Sequence, residues 1–159
     1  PVEQVPINDC QTFINQLNTL TGKNFRLLTE AEWEFAAKGG NKSQGYKYSG
    51  GDNIDDIAWY SSNSGRKTKD VKTKSPNELG IYDMTGNVME WCSDYYGPYS
   101  EEAQTNPTGP GANSGTNTCV VRGGGYWDSA SWCRNTKRIC YAETHSQMDI
   151  GLRLVLIAE

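Results

Sequence analysis

The sequence predicts an α+β fold in which a small sheet is combined with two early helices and an unusually large share of loop. Three observations lead there. Helical signals fill two stretches between residues 8 and 40, and short β-type runs are scattered from residue 25 to residue 157. The long segments between those runs are rich in glycine, serine, asparagine and proline. At 159 residues the chain is the size of one domain and large enough to bury a core, so residues 1–159 are read as a single domain.

Each element has its own signal. Asn8 or Asp9 can cap a first helix whose apolar positions Phe13, Ile14, Leu17 and Leu20 fall on one face, and Gly22 sits where that helix should stop. Phe25 to Leu28 reads as a short strand. Thr29-Glu30-Ala31-Glu32 is a capping box, in which Thr29 caps a second helix and Glu32 reaches back to it. This helix carries Trp33, Ala36 and Ala37 inward and ends at Gly39-Gly40. Residues 40–79 read as a loop region that something must hold, with an apolar patch at Ile57, Ala58, Trp59 and Tyr60. Arg66, Lys67, Lys69, Lys72 and Lys74 form a basic cluster there. It is read as a solvated rim, because no glycine-rich phosphate cradle surrounds it. Trp91 to Tyr95 and Cys119 to Arg122 read as strands, residues 125–150 as irregular, and Gly151 to Ile157 as the closing strand.

Composition narrows the function classes. Five tryptophans and nine tyrosines against three phenylalanines mean that most aromatics carry a polar atom, which suits interfaces and half-buried sites. A net charge of -4 gives no reason to expect a nucleic-acid partner. No apolar run approaches the roughly 18 residues of a membrane-spanning segment, and nothing at the start looks like a signal peptide. The chain begins at Pro1 without methionine, so a removed leader or upstream portion is an expectation. Five cysteines, at 10, 92, 119, 133 and 140, are an odd number with no Cys-x-x-Cys pair. They signal neither a zinc site nor a complete disulfide framework, and leave room for one or two bridges.

The most informative stretch is Gly80 to Trp91, where Asp83 and Glu90 bracket a Gly86-Asn87 turn. A hard cation such as calcium takes about six to eight oxygens from carboxylates and from carbonyls that a tight turn points inward. Gly86 and Asn87 tolerate the positive φ such a turn needs. The spacing is not that of the helix-loop-helix calcium loop. On spacing alone, a turn before a strand with two solvated acids is an equal reading.

Taken with Arg26-Leu27-Leu28-Thr29-Glu30-Ala31-Glu32-Trp33-Glu34-Phe35-Ala36-Ala37-Lys38-Gly39-Gly40, Arg122-Gly123-Gly124 and Gly151-Leu152-Arg153-Leu154, that stretch resembles the formylglycine-generating enzyme, or sulfatase-modifying factor, family. The resemblance runs through nearly the whole chain. It implies a C-type-lectin-like fold with two helices, a small twisted antiparallel sheet and much irregular loop, with the family's first strand lying before Pro1. It also implies a structural calcium held by the side chains of Asp83 and Glu90 and the carbonyls of Gly86 and Val88.

The family's enzymes oxidise a substrate cysteine to formylglycine with two cysteines, five residues apart, that bind copper(I). Counted from Arg122-Gly123-Gly124, those positions fall on Asp128 and Cys133. A hard carboxylate does not replace a thiolate for Cu(I). Counted back from Gly151 the register shifts by about three residues, and Cys133 and Cys140 are the only thiols in the segment. His145, the single histidine, cannot build the multi-histidine iron site of sulfoxide-synthesising relatives; it reads as an exposed loop residue.

Residues 125–149 nevertheless lie where the family binds substrate. Tyr126, Trp127, Asp128, Ser129, Ser131, Trp132, Arg134, Asn135, Lys137, Tyr141, Glu143, His145 and Gln147 mix aromatic and hydrogen-bonding groups as a recognition surface does. Trp127 and Trp132 could equally be core. The position is similar to that of the hypervariable residues in the variable proteins of diversity-generating retroelements. The expected function is a non-catalytic, calcium-stabilised module presenting this surface to a protein or other surface ligand, in an extracellular, cell-surface or phage-borne setting. The alternative is a copper-dependent formylglycine-generating oxidase acting on a sulfatase cysteine.

Overall fold

A computed structural model describes residues 1–111, 115 and 117–158. Helix α1 (Ile7–Thr21) ends where Gly22 adopts a left-handed φ of 67° and its N–H bonds to the Asn18 carbonyl. Pro6 stands at its N-cap, so Asn8 and Asp9 lie inside the first turn instead of capping it. The expected apolar face also turns. Cys10 and Ile14, four apart on one face, are buried against the sheet while Phe13 and Leu20 are exposed. The Asn18 amide then donates to the Phe25 carbonyl and accepts from the Phe25 N–H, which sets the start of β1 (Phe25–Leu27). Helix α2 (Glu30–Ala37) has the capping box that the sequence signals, with Thr29 and Glu32 bonded reciprocally.

Strands β2 (Met89–Tyr95), β3 (Thr118–Arg122), β4 (Ile139–Ala142) and β5 (Ile150–Leu152) form a sheet in the order β4-β3-β2-β5. A last strand, β6 (Leu154–Leu156), leaves that sheet and pairs antiparallel with β1. This corrects the sequence reading in three places. Strand β4 falls in a segment read as irregular, and the closing stretch is two strands divided at Arg153. The sheet is also not wholly antiparallel, since β2 and β5 run parallel. Strand β4 carries weak local signal because it is half-exposed and is defined by its pairing with β3.

The central strands are buried on both faces. Met89, Trp91, Cys119 and Val121 pack with Cys10 and Ile14 of α1. Cys92 and Val120, of opposite parity, pack with Trp33 and Ala37 of α2. A third cluster gathers Tyr48, Tyr60 and Cys133 around the short helix α3 (Ile54–Ile57). All five cysteines are free thiols.

Two buried amides hold the long segment between α2 and β2. Asn77 accepts from the N–H groups of Leu79 and Ile81 and donates to the Ala36 carbonyl and Ser49 hydroxyl. Asn87 exchanges two hydrogen bonds with the backbone of Lys69, at 3.0 and 3.1 Å.

Candidate functional site

The Asp83 to Glu90 turn is shaped by three consecutive demands. Asp83, Gly86 and Asn87 all have positive φ. At Gly86 a side chain would collide with the Trp59 carbonyl, so only glycine fits. Its N–H donates to Gly123 O, and that of Asn87 to Trp59 O. Glu90 lies in β2, beyond the turn. Arg153 forks onto both of its oxygens at 2.8–3.0 Å, and the Trp33 indole N–H donates to one of them at 2.7 Å. Burial alone would lower the Arg153 pKa, but the Glu90 charge and hydrogen bonds outweigh it and hold the guanidinium above its ordinary value.

Asp83, Val88 and Glu90 line one cavity of about 780 Å³ together with Lys72 and Arg153. One Asp83 oxygen accepts the Lys72 N–H at 2.8 Å. Asp83 and the Gly86 and Val88 carbonyls are oxygen donors of the kind a hard cation takes, and Glu90 would join them only by sharing oxygens that Arg153 and Trp33 already engage. The charge balance does not demand one, because Arg153 already neutralises Glu90 from within the protein.

The segment from 126 to 147 divides into anchors and displayed residues. Tyr126 is 5% exposed; its N–H donates to Asn87 O and its carbonyl accepts from Ser64. Asn135 is 2% exposed, with its N–H on Lys47 O, its amide on Tyr46 O and its carbonyl on the buried Arg122 at 2.6 Å. Tyr126 and Asn135 are therefore frame, which corrects their assignment to a surface. Arg138 anchors too, forking onto the carboxylate of Glu30, which also meets Arg122.

Between these anchors Trp127 and Trp132 stand 41% and 42% exposed, which places both indoles on the surface. Ser129, Ser131 and Arg134 are exposed and Lys137 is half-buried. Lys137 Nζ lies 4.0 Å over the Trp132 ring. Further along, Tyr141 and His145 stack with centroids 4.4 Å apart. Gln147 meets His145, and Glu143 accepts from the Tyr95 hydroxyl. Arg66, from the loop read as a solvated rim, lies 5.1 Å over the Trp127 ring. Sequence reasoning set Arg66 apart from the surface because the contact joins residues sixty-one positions apart. The presence of a basic cluster was its only trace.

The frame also buries a thiol near two carboxylates. Cys133 is 1% exposed, and burial, followed by the charges of Asp128 and Asp149, pushes its thiol up to about 12. Asp128 accepts the Gly125 N–H at 2.8 Å, and burial raises its pKa. Asp149 is 1% exposed with one oxygen lacking any partner. Burial first, then the neighbouring charge of Asp128, raises its pKa to about 6. Asp128 and Cys133, the positions counted for the copper pair from Arg122-Gly123-Gly124, are thus a half-buried carboxylate and a protonated, buried thiol.

Fold and surface together define an α+β domain of C-type-lectin-like type that carries a loop platform ahead of its last strands. Residues 1–158 match the sulfatase-modifying factor enzyme 1-like domain, and the chain belongs to that family. It is 40% identical over 152 residues to the chaperone protein LppX of Paenibacillus barcinonensis, covering 82% of this chain and 49% of that one. It is 36% identical over 149 residues to the formylglycine-generating enzyme of Streptomyces coelicolor, covering 84% and 44%. Among solved structures it superposes on Treponema denticola variable protein 1 with a TM-score of 0.75 and 41% identity, over 83% of this chain and 47% of that one. The chain spans about half the length of these relatives. Among the described residues no helix is long and apolar enough to cross a membrane.

The Asp149 environment gives a pH prediction. Between the ordinary carboxylate value and about 6 the folded protein binds more protons than the unfolded chain, so stability falls as pH rises through that window. Asp149→Asn is expected to be more stable than the parent at neutral pH by about 1–3 kcal/mol, with the gap closing near pH 4. Urea unfolding across that range measures it. A gap that stays constant with pH contradicts the assignment.

Proposed function

We propose that this chain is a non-catalytic ligand-binding module that presents the displayed residues of 126–147, Trp127 and Trp132 foremost, to a protein or other surface ligand. The observation that carries the proposal is the division of that segment. Tyr126, Cys133, Asn135 and Arg138 are tied into the frame, while Trp127, Ser129, Ser131, Trp132 and Arg134 between them are exposed to solvent. A surface built this way accepts substitution without loss of fold, which is what a variable protein of a diversity-generating retroelement requires. Similarity to a solved protein named as variable supports the same reading.

The second reading, a copper-dependent formylglycine-generating oxidase, draws on kinship with the Streptomyces coelicolor enzyme. Against it stands the pairing of Asp128 with a thiol raised to about 12, since Cu(I) is held by thiolates. Incubation with copper, oxygen and a cysteine-containing sulfatase peptide is expected to leave the peptide unchanged by mass. Conversion of its cysteine to the aldehyde would overturn the binding-module reading.

A structural calcium at the Asp83 to Glu90 turn is part of the proposal. Asp83, Glu90 and the carbonyls of Gly86 and Val88 would hold it, adding to the positive charge that Arg153 brings. Chelation is then expected to lower the melting temperature by a few degrees, and Asp83→Ala to abolish that response. An identical melting curve with and without chelator would remove calcium from the account.

A further inference from the structure

We infer that the partner of the Trp127–Trp132 surface is an acidic protein segment, recognised by cations that the fold places on the two indoles. The inference rests on the binding reading above and adds the chemistry of the occupant. The chain as a whole is acidic, with a net charge of -4. Its displayed aromatics are nonetheless framed by positive charge. Lys137 caps one indole at 4.0 Å and Arg66 the other at 5.1 Å. Exposed Lys67 and Arg134 follow in the same two segments, and exposed Lys47 adjoins them through its carbonyl, which accepts the Asn135 N–H.

Three nearby carboxylates have partners of their own, and the charge of one, Asp128, also reaches Lys137. Asp128 is folded back onto the Gly125 N–H. Asp52 accepts the Lys47 N–H, and Asp55 accepts the Tyr60 hydroxyl. They offset part of the positive charge without covering either indole.

The Arg66 loop is also not free to drift from this surface. The Ser61 N–H donates to the Asp128 carbonyl at 3.0 Å, Ser64 donates to the Tyr126 carbonyl at 2.9 Å, and the Arg66 N–H donates to Ser64. These bonds fix the backbone that carries the guanidinium to the backbone that carries Trp127. A cation resting on an indole keeps its outer hydrogens available and positions them beside an apolar face. Such a pair suits a glutamate or aspartate with an apolar neighbour: the carboxylate meets the cation while the neighbour covers the ring. Complementary charge of this kind sets partner choice and speeds encounter. Two indoles that each carry a cation would repel a basic segment.

Fluorescence anisotropy at low salt tests this with three labelled probes: a glutamate-rich peptide containing tyrosines, its lysine counterpart of equal length, and duplex DNA. The expected result is binding of the glutamate peptide alone, weakening as salt is raised. The double variant Arg66→Glu with Lys137→Glu, confirmed as folded by its melting curve, should weaken it about tenfold or more. No binding of the glutamate peptide, equal binding of the lysine peptide, or tighter binding of DNA would each overturn the inference. Trp127→Ala with Trp132→Ala separates the two layers of the argument. Binding lost there but unchanged in the charge-reversed variant refutes the acidic partner and keeps the surface. Binding unchanged in both variants refutes both for this probe.

Discussion

Glu90 sits on a central strand with both oxygens forked by Arg153 and one also bonded to the Trp33 indole, and that buried charge pair joins three distant parts of the chain. Trp33 belongs to the helix over one face of the sheet. Arg153 is the residue at which the closing stretch leaves β5 and begins β6. Its guanidinium also donates to the Tyr82 carbonyl, at the edge of the Asp83 turn. The Glu90–Arg153 pair therefore links the helix, the break between the last strands and the start of the turn. Removing one partner of such a pair leaves an uncompensated charge, at a cost of about 3–5 kcal/mol. That is a large share of the roughly 5–15 kcal/mol by which a domain is stable.

Around this node the loops are held by polar side chains as well as by apolar burial. Asn77 and Asn87 bond to backbone from segments far along the chain, and Arg122 with Glu30 ties Asn135 and Arg138 to α2. A buried polar group that keeps its partners specifies a single arrangement, because every alternative leaves it unpaired. The frame so formed ends at the anchors of the 126–147 segment. What lies between the anchors has no structural duty of comparable weight, and this leaves the two indoles and their neighbours free to meet a partner.

Much of the frame was legible in the sequence because its causes are local. The capping box at Thr29 to Glu32, the stop at Gly22 and the tight turn at Gly86-Asn87 are each written in adjacent residues. The division of the recognition segment was not legible. Asn135 and Ser131 are both small and polar, and only contacts with distant parts of the chain, the Tyr46 and Lys47 carbonyls and the Arg122 guanidinium of β3, make one a frame residue. Strand β4 was missed for the same reason, since pairing with β3 creates it. Glu90 stood out as a candidate calcium ligand but not as the partner of Arg153, sixty-three positions away.

The central claim is that stability resides in the frame and not in the displayed surface, and two melting temperatures compare them directly. One variant carries alanine at Trp127, Ser129, Ser131, Trp132 and Lys137; the other carries only Glu90→Gln. The account predicts that the fivefold surface variant melts within a few degrees of the parent, while Glu90→Gln loses about 10 °C or more. A surface variant that unfolds while Glu90→Gln melts with the parent would contradict it.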